Sequence, residues 1–173
     1  MNVNKLLKHM AWANQEVISR LKDLPDETLG LYIDNPEWTV REIARHIACS
    51  ASWYGFRLMD KSEFSDADHA AWKLKLDAME NQPKTMTDIS KVLDWAKAAD
   101  AVLLDEASKP EGTIERVMDG KTIIRARSTV LSQSIHHATE HRAQLVAILE
   151  RHGIKRINLD DFDLWAYCDK YGE

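Results

Sequence analysis

The sequence predicts an all-α protein, an antiparallel four-helix bundle with a short β-hairpin inserted before the last long helix. Four segments carry apolar residues at helical spacing, which is typical of helices that bury one face. Between the third and fourth segments, the pair Asp119-Gly120 separates two runs of β-prone residues, and this pattern is a strong hairpin signal. Four amphipathic helices around one core pack naturally as a bundle.

Length and composition indicate a single domain that spans residues 1–173. The formal net charge of -5 argues against a nucleic-acid-binding protein, because such proteins concentrate Lys and Arg to neutralise phosphates. The chain begins without a secretory signal pattern and contains no stretch of transmembrane length. Only Cys49 and Cys168 are present, which gives no disulfide framework. We therefore expect a cytoplasmic protein with no membrane or nucleic-acid partner.

The first helix is predicted from an apolar stripe that ends at Pro25. Its residues are Leu6, Met10, Ala13, Val17, Leu21 and Leu24. Trp12 flanks the stripe, and we expect its ring to pack against a neighbouring helix because large aromatic side chains tend to be buried.

The second helix has clear start signals after a turn-rich segment. Thr39 and Glu42 form a T-x-x-E capping box, and Trp38 can contact Ile43 across the cap. The inward stripe is predicted to contain Val40, Ile43, Ile47, Ser50 and Tyr54, with His46 on the same face. Cys49 follows one turn later and is either a thiolate ligand or a small buried apolar residue.

From residue 60 to Pro83 the helical spacing of apolar residues becomes weak, and we expect a mobile segment that contains one short helix. The few apolar residues on one side of this helix are Ala67, Ala71, Leu74 and Ala78. Thr85 or Thr87 then caps a third long helix. Its predicted inward residues are Ile89, Val92, Leu93, Ala96, Ala99 and Leu103. We expect Asp100, at the edge of this stripe, to reach water, although it could also orient a ligand.

The hairpin is predicted from TIERVM and KTIIRA, the runs on either side of Asp119-Gly120. A last long helix follows and ends at Gly153. The remaining C-terminal tail, residues 157–173, is predicted to be irregular. Its aromatic and apolar side chains, Phe162, Leu164, Trp165 and Tyr167, are expected to cover an open end of the bundle or to form a subunit contact in a homodimer.

Three histidines are predicted to point into the bundle. His137 and His141 are four residues apart on one helical face, so their side chains can reach one metal ion. His46 lies on the inward face of the second helix, whereas His136 and His152 are expected at the surface. Buried imidazoles need polar partners. Either one metal ion satisfies all three, or each bonds to a carbonyl or carboxylate.

Three segments resemble the DinB-like (DinB/YfiT) superfamily of metalloenzymes. HHATEHRAQL, with His137, His141, Arg142 and Gln144, resembles the signature H-x-x-x-H-R-x-Q-[LI]. TVREIARHIACSASWY resembles the segment that carries the family's first histidine ligand, here His46, and MAWANQEVISRLKDLPDE resembles the first helix with its Trp-Ala-Asn triplet. The similarity covers nearly the whole chain, including the helix order and the hairpin.

The resemblance implies a four-helix bundle that holds one divalent ion on His46, His137 and His141, with other coordination positions open. Characterised members include metal-dependent enzymes that act through low-molecular-weight thiols, among them thiol transferases and an isomerase. Zinc is the first choice for three histidines, and nickel, manganese or iron also suit imidazole. Glu140 stands where another histidine is frequent and has at most a supporting role near the ligands, while Ala143 stands where glycine is frequent.

The predicted function is therefore that of a metal-dependent enzyme acting on a small-molecule substrate, either by transferring or activating a small thiol or by hydrolysing a small electrophile. The alternative is a non-catalytic bundle stapled by its metal, a stress-related module for small-molecule binding or protein interaction. Structural sites are usually closed by four protein ligands, often including cysteine. Cys49 therefore discriminates between the two hypotheses.

Overall fold

The computed structural model describes residues 3–59, 83–118 and 120–172, together with residues 67, 70, 71 and 74. The chain is mostly helical, and a two-stranded hairpin precedes the last long helix, which confirms the predicted fold class. The elements are α1 (Val3–Leu21), α2 (Val40–Leu58), α3 (Met86–Ser108), β1 (Thr113–Met118), β2 (Lys121–Ala126), α4 (Arg127–Arg151) and α5 (Leu164–Tyr171). Short 3₁₀ turns span Asp26–Gly30 and Leu159–Phe162. No helix in the described part of the chain has the length and apolarity to cross a membrane.

The four long helices form the bundle, in which α3 and α4 each pack against both α1 and α2. One apolar cluster joins the second half of α1, the first halves of α2 and α3, and the end of α4. A second cluster joins the other ends of the same helices. Helices α1 and α4 therefore run in one direction and α2 and α3 in the other, so α2 and α4 are antiparallel neighbours.

The predicted apolar stripes are largely buried. All six predicted residues of α3 are buried, as are Val40, Ile43 and Ile47 of α2, whereas Ser50 and Tyr54 are half-buried. The first turn of α1 differs from the prediction, because Leu7 is buried and Leu6 only half-buried. The two are adjacent and both apolar, so periodicity alone does not choose between them.

The expectation that Asp100 reaches water is wrong, because only 1% of its surface is exposed. The predicted short helix after residue 60 lies mostly outside the described residues. Its Ala67, Ala71 and Leu74 are helical and exposed, and Ala78 lies outside.

Helix boundaries follow from side-chain caps. Thr39 accepts a hydrogen bond from the Glu42 amide at 3.4 Å, and Thr85 with Asp88 forms a complete capping box at the start of α3. The Glu42 carboxylate pairs with Arg45 at 2.6 Å. The predicted caps therefore fix where α2 and α3 begin.

The hairpin is antiparallel, with Thr113 opposite Ala126 and Met118 opposite Lys121. Gly120 has φ of +72°, a conformation that glycine adopts without strain and that the tight turn requires. The predicted hairpin is confirmed.

The prediction of an irregular tail is wrong. Asp163 caps α5 by accepting from the Ala166 amide at 2.7 Å, and Gly172 ends it in the left-handed conformation. Tyr167 is buried against the half-buried Trp12, with ring centroids 5.6 Å apart, so the packing expected for Trp12 is confirmed. Trp165, in contrast, is 80% exposed and does not cover the bundle.

Candidate metal centre

The structure brings the three predicted inward histidines together. The Nε2 atom of His137 lies 3.2 Å from Nε2 of His46 and 3.2 Å from Nε2 of His141. One ligand atom from each residue lies within 4.8 Å of the others. These residues form the histidine cluster, the only group of three or more metal-binding side chains so placed among the described residues.

Helix geometry explains why these side chains meet. His137 and His141 are one turn apart on α4, which places their ring centroids at 4.4 Å. His46 comes from the antiparallel neighbour α2, with its ring 4.5 Å from that of His141. All three side chains therefore converge at the seam between two long helices.

A hydrogen bond to Gln144, which is not a member of the cluster, fixes the tautomer of His141. Its Nδ1 lies 2.8 Å from Oε1 of Gln144, one turn further along α4, so Nδ1–H donates to this oxygen. In the neutral ring, Nε2 then carries a lone pair that points into the cluster. Gln144 belongs to the motif quoted above, but sequence reasoning gave it no role.

Burial favours the uncharged form of His46 and His137. It lowers the pKa of His46 to about 4, and the neighbouring His141 and His137 add to this effect. The pKa of His137 is also lowered, first by burial and then by His141. Neutral imidazole is the form that binds metal ions.

The three nitrogens cannot satisfy one another by hydrogen bonding alone. His137 Nε2 lies 3.2 Å from two other ring nitrogens, but the single N–H it can carry donates to one of them. A cation accepts all three lone pairs. Two nitrogens at 2.0–2.1 Å from a tetrahedral zinc ion lie about 3.3 Å apart, close to the spacing seen here. The residues therefore fit a divalent metal ion.

Cys49 does not join the histidine cluster. Its sulfur instead accepts a hydrogen bond from Arg45 Nη1 at 3.5 Å. Within the described part of the chain, the group therefore offers three protein ligands rather than four. This is the donor set of an open site.

Aromatic rings line the cluster. The Trp38 ring stacks nearly parallel to His141, with centroids 5.3 Å apart, and meets His46 edge-on at 5.1 Å. Tyr54 contacts His137 edge-on at 5.6 Å. Trp38 was predicted only to staple the start of α2, so its contact with two ligand candidates was missed.

The other sequence candidates lie apart from the cluster. Glu140 is exposed, and its charge slightly opposes the lowered pKa of His137. His136 and His152 are exposed, as predicted, and the His152 ring bonds to the Tyr32 carbonyl at 2.9 Å. His9 bonds to a carbonyl of the C-terminal segment at 2.8 Å. The interaction of Glu140 with the histidine cluster is therefore electrostatic, through its charge on His137.

A buried polar network lies next to His141 in the bundle interior. Arg142 donates to Asn14 Oδ1 at 2.6 Å and to Thr139 Oγ1 at 3.1 Å, while Asp100 accepts from Gln15 at 3.2 Å. Burial raises the pKa of Asp100 to about 6 and lowers the pKa of Arg142 to about 10. Their opposite charges oppose both shifts. The network ties α1, α3 and α4 together beside the histidine cluster.

Comparison with known proteins adds an independent finding. The model of the DinB family matches residues 1–169. The chain is similar to Protein DinB of Bacillus subtilis (strain 168), with 26% identity over 169 residues, 96% of this chain and 94% of that protein. No solved structure gives a significant match.

Proposed function

Because the chain belongs to the DinB family, we propose that it is a metal-dependent enzyme in which His46, His137 and His141 hold one divalent ion. The observation that carries this proposal is the convergence of three Nε2 atoms, with His137 Nε2 lying 3.2 Å from each of the other two. Coordination positions not filled by histidine are open to water or substrate.

The bound ion would supply a positive charge that lowers the pKa of a bound water to about 7 and favours a bound thiolate. Three neutral histidines leave the full charge of +2 in place. The reaction we propose is transfer or activation of a small thiol, or hydrolysis of a small electrophile. Zinc is the first choice of metal, and nickel, manganese and iron also suit imidazole ligands. The predicted homodimer and cytoplasmic location remain predictions.

The residues around the ligands have supporting tasks. Gln144 holds the His141 ring with its Nε2 lone pair toward the ion. Trp38 and Tyr54 pack against two of the imidazoles and help to hold these rings in place. Both effects favour a preformed site of defined shape over a flexible set of ligands.

The competing function is a structural metal that staples the bundle. A structural site is usually closed by four protein ligands. Cys49, the residue that would have closed it, bonds to Arg45 and lies outside the cluster. The two apolar clusters also give the bundle a core that does not depend on the ion. These observations favour the enzyme.

Cobalt substitution distinguishes the two functions, because the visible spectrum of Co²⁺ reports the coordination number. We expect imidazole and small thiols to change the spectrum of the cobalt-loaded protein by entering open positions. His137→Ala should abolish metal binding while retaining a helical, cooperatively melting fold, and His136→Ala is the matched control. A spectrum indifferent to both additives, together with unfolding of His137→Ala, would leave a metal-stapled bundle instead.

A further inference from the structure

A cavity of about 290 Å³ lies beside the histidine cluster, between the segment that precedes α2 and the last third of α4. Its volume lies just below the range of roughly 300–1,000 Å³ that is typical of small-molecule sites. Most of its walls are apolar side chains: Ile33, Trp38, Ile43, Ala147 and Ile148. A small apolar group is therefore the occupant that these walls favour.

Two side chains belong both to the cavity wall and to the surroundings of His141. Trp38 lines the cavity and stacks on the His141 ring. Gln144 also lines the cavity, and its oxygen accepts the Nδ1 proton of His141. A molecule in the cavity would thus lie one side chain away from a metal ligand.

The polar groups of the cavity restrict the charge of its occupant. Gln144 has committed its oxygen to His141, which leaves its NH₂ group to donate. Asp34 adds a carboxylate to the lining, the side-chain oxygen of Asn35 accepts the Glu37 amide at 2.9 Å, and the described lining contains no Lys or Arg. A negatively charged group inside the cavity would meet the Asp34 carboxylate, and the cavity wall itself supplies no cation to offset this repulsion.

We propose that this cavity binds the non-reacting body of the substrate, and that the substrate is a small uncharged molecule with an aliphatic or aromatic body and one polar reacting group. The polar group reaches the ion at the histidine cluster, while the body fills the space between Ile33 and Ile148. The inference rests on the proposed function, because the cavity selects the substrate of that same site.

Alkyl hydroxamates test the proposal directly, since the hydroxamate group binds a metal ion and the alkyl chain reports on the neighbouring space. Titration calorimetry of the zinc-loaded protein compares chains from acetohydroxamate to octanohydroxamate. We expect the affinity to rise about fourfold for each methylene that enters the cavity, until the cavity is full, because about 0.8 kcal/mol accompanies each buried methylene. A terminal carboxylate on the alkyl chain should weaken binding relative to its methyl ester.

Ala147→Phe places a ring in the cavity from an exposed position on α4. We expect this variant to retain one ion per chain but to lose the dependence of affinity on chain length. Ala98→Phe is the matched control, because Ala98 is an exposed helical alanine on α3 away from the cavity lining. Its chain-length dependence should equal that of the unmodified protein.

The outcomes separate the two proposals. Binding of acetohydroxamate with no gain along the alkyl series would overturn the cavity assignment and leave the metal site standing. An unchanged series in Ala147→Phe would also overturn it. Absence of a bound ion, or of any hydroxamate binding, would overturn the proposed function and this inference with it.

Discussion

Replacement of Gln144 by alanine should weaken metal binding without unfolding the protein. Gln144 Oε1 is the acceptor 2.8 Å from His141 Nδ1, and this bond selects the tautomer in which Nε2 can bind a cation. Loss of such a partner typically costs 10- to 100-fold in metal affinity. Gln144 lies at the surface, where water can replace the lost acceptor. We therefore expect a loss near tenfold, which corresponds to about 1.4 kcal/mol.

The assay is competition for Zn²⁺ with a chromophoric chelator, followed at constant pH and ionic strength. Gln144→Glu keeps an acceptor at this position and should bind the ion at least as tightly as the unmodified protein. Gln133→Ala provides the matched control, because Gln133 is an exposed glutamine on the same helix and lies outside the cluster. Its affinity should not change.

Equal affinity in Gln144→Ala and the unmodified protein would refute the argument that this hydrogen bond orients His141. So would equal losses in Gln144→Ala and Gln144→Glu, because the carboxylate preserves the acceptor. A loss of helical signal at room temperature in Gln144→Ala would show that the residue acts through the fold rather than through the ligand.

Three further predictions concern stability. Asn14→Ala removes the buried acceptor of Arg142 and should lower the free energy of unfolding by about 2–4 kcal/mol in urea titrations; a change under 0.5 kcal/mol would contradict this. Gly55→Ala should lower the free energy of unfolding by about 1–2 kcal/mol, because the added Cβ would lie 2.9 Å from the stiff, β-branched side chain of Val102 on α3. A Gly55→Ala variant that is more stable than the unmodified protein would contradict this close packing of α2 and α3. The metal-free protein should lose stability as the pH falls from about 6.5 to about 4, since the unfolded chain takes up the His46 proton first and the folded state resists it. The raised pKa of Asp100, about 6, changes stability in the opposite direction, and comparison with His46→Ala separates the two effects. Identical profiles of stability against pH in the two proteins would disprove the contribution of His46.

Sequence patterns predicted the elements whose signals are local. The six apolar positions of α3 and the caps at Thr39 and Thr85 depend on residues within one or two turns, so spacing alone identifies them. The α5 helix was missed although its signals are also local, an Asp163 cap and a terminal Gly172. It has only eight residues, which is too short for an apolar stripe to repeat over several turns.

Non-local contacts were the main source of error. Asp100 appeared suited to a solvent boundary because its partners lie on other helices, Gln15 on α1 and the charge of Arg142 on α4. In the same way, the ring of Trp38 packs on His141, about one hundred residues later in the chain. The histidine cluster itself was predictable, because His137 and His141 share one helical face and helical spacing also placed His46 on an inward face. The family resemblance then identified all three as expected metal ligands.

The metal content of the purified protein tests the central claim most directly. Elemental analysis of protein prepared without chelators and without a histidine tag should find one divalent ion per chain. Alanine replacement of His46, His137 or His141 should remove the ion, whereas His136→Ala should retain it. A protein that binds no divalent ion even when zinc, nickel, manganese or iron is supplied, or one that loses the ion equally in His136→Ala and His137→Ala, would contradict the account.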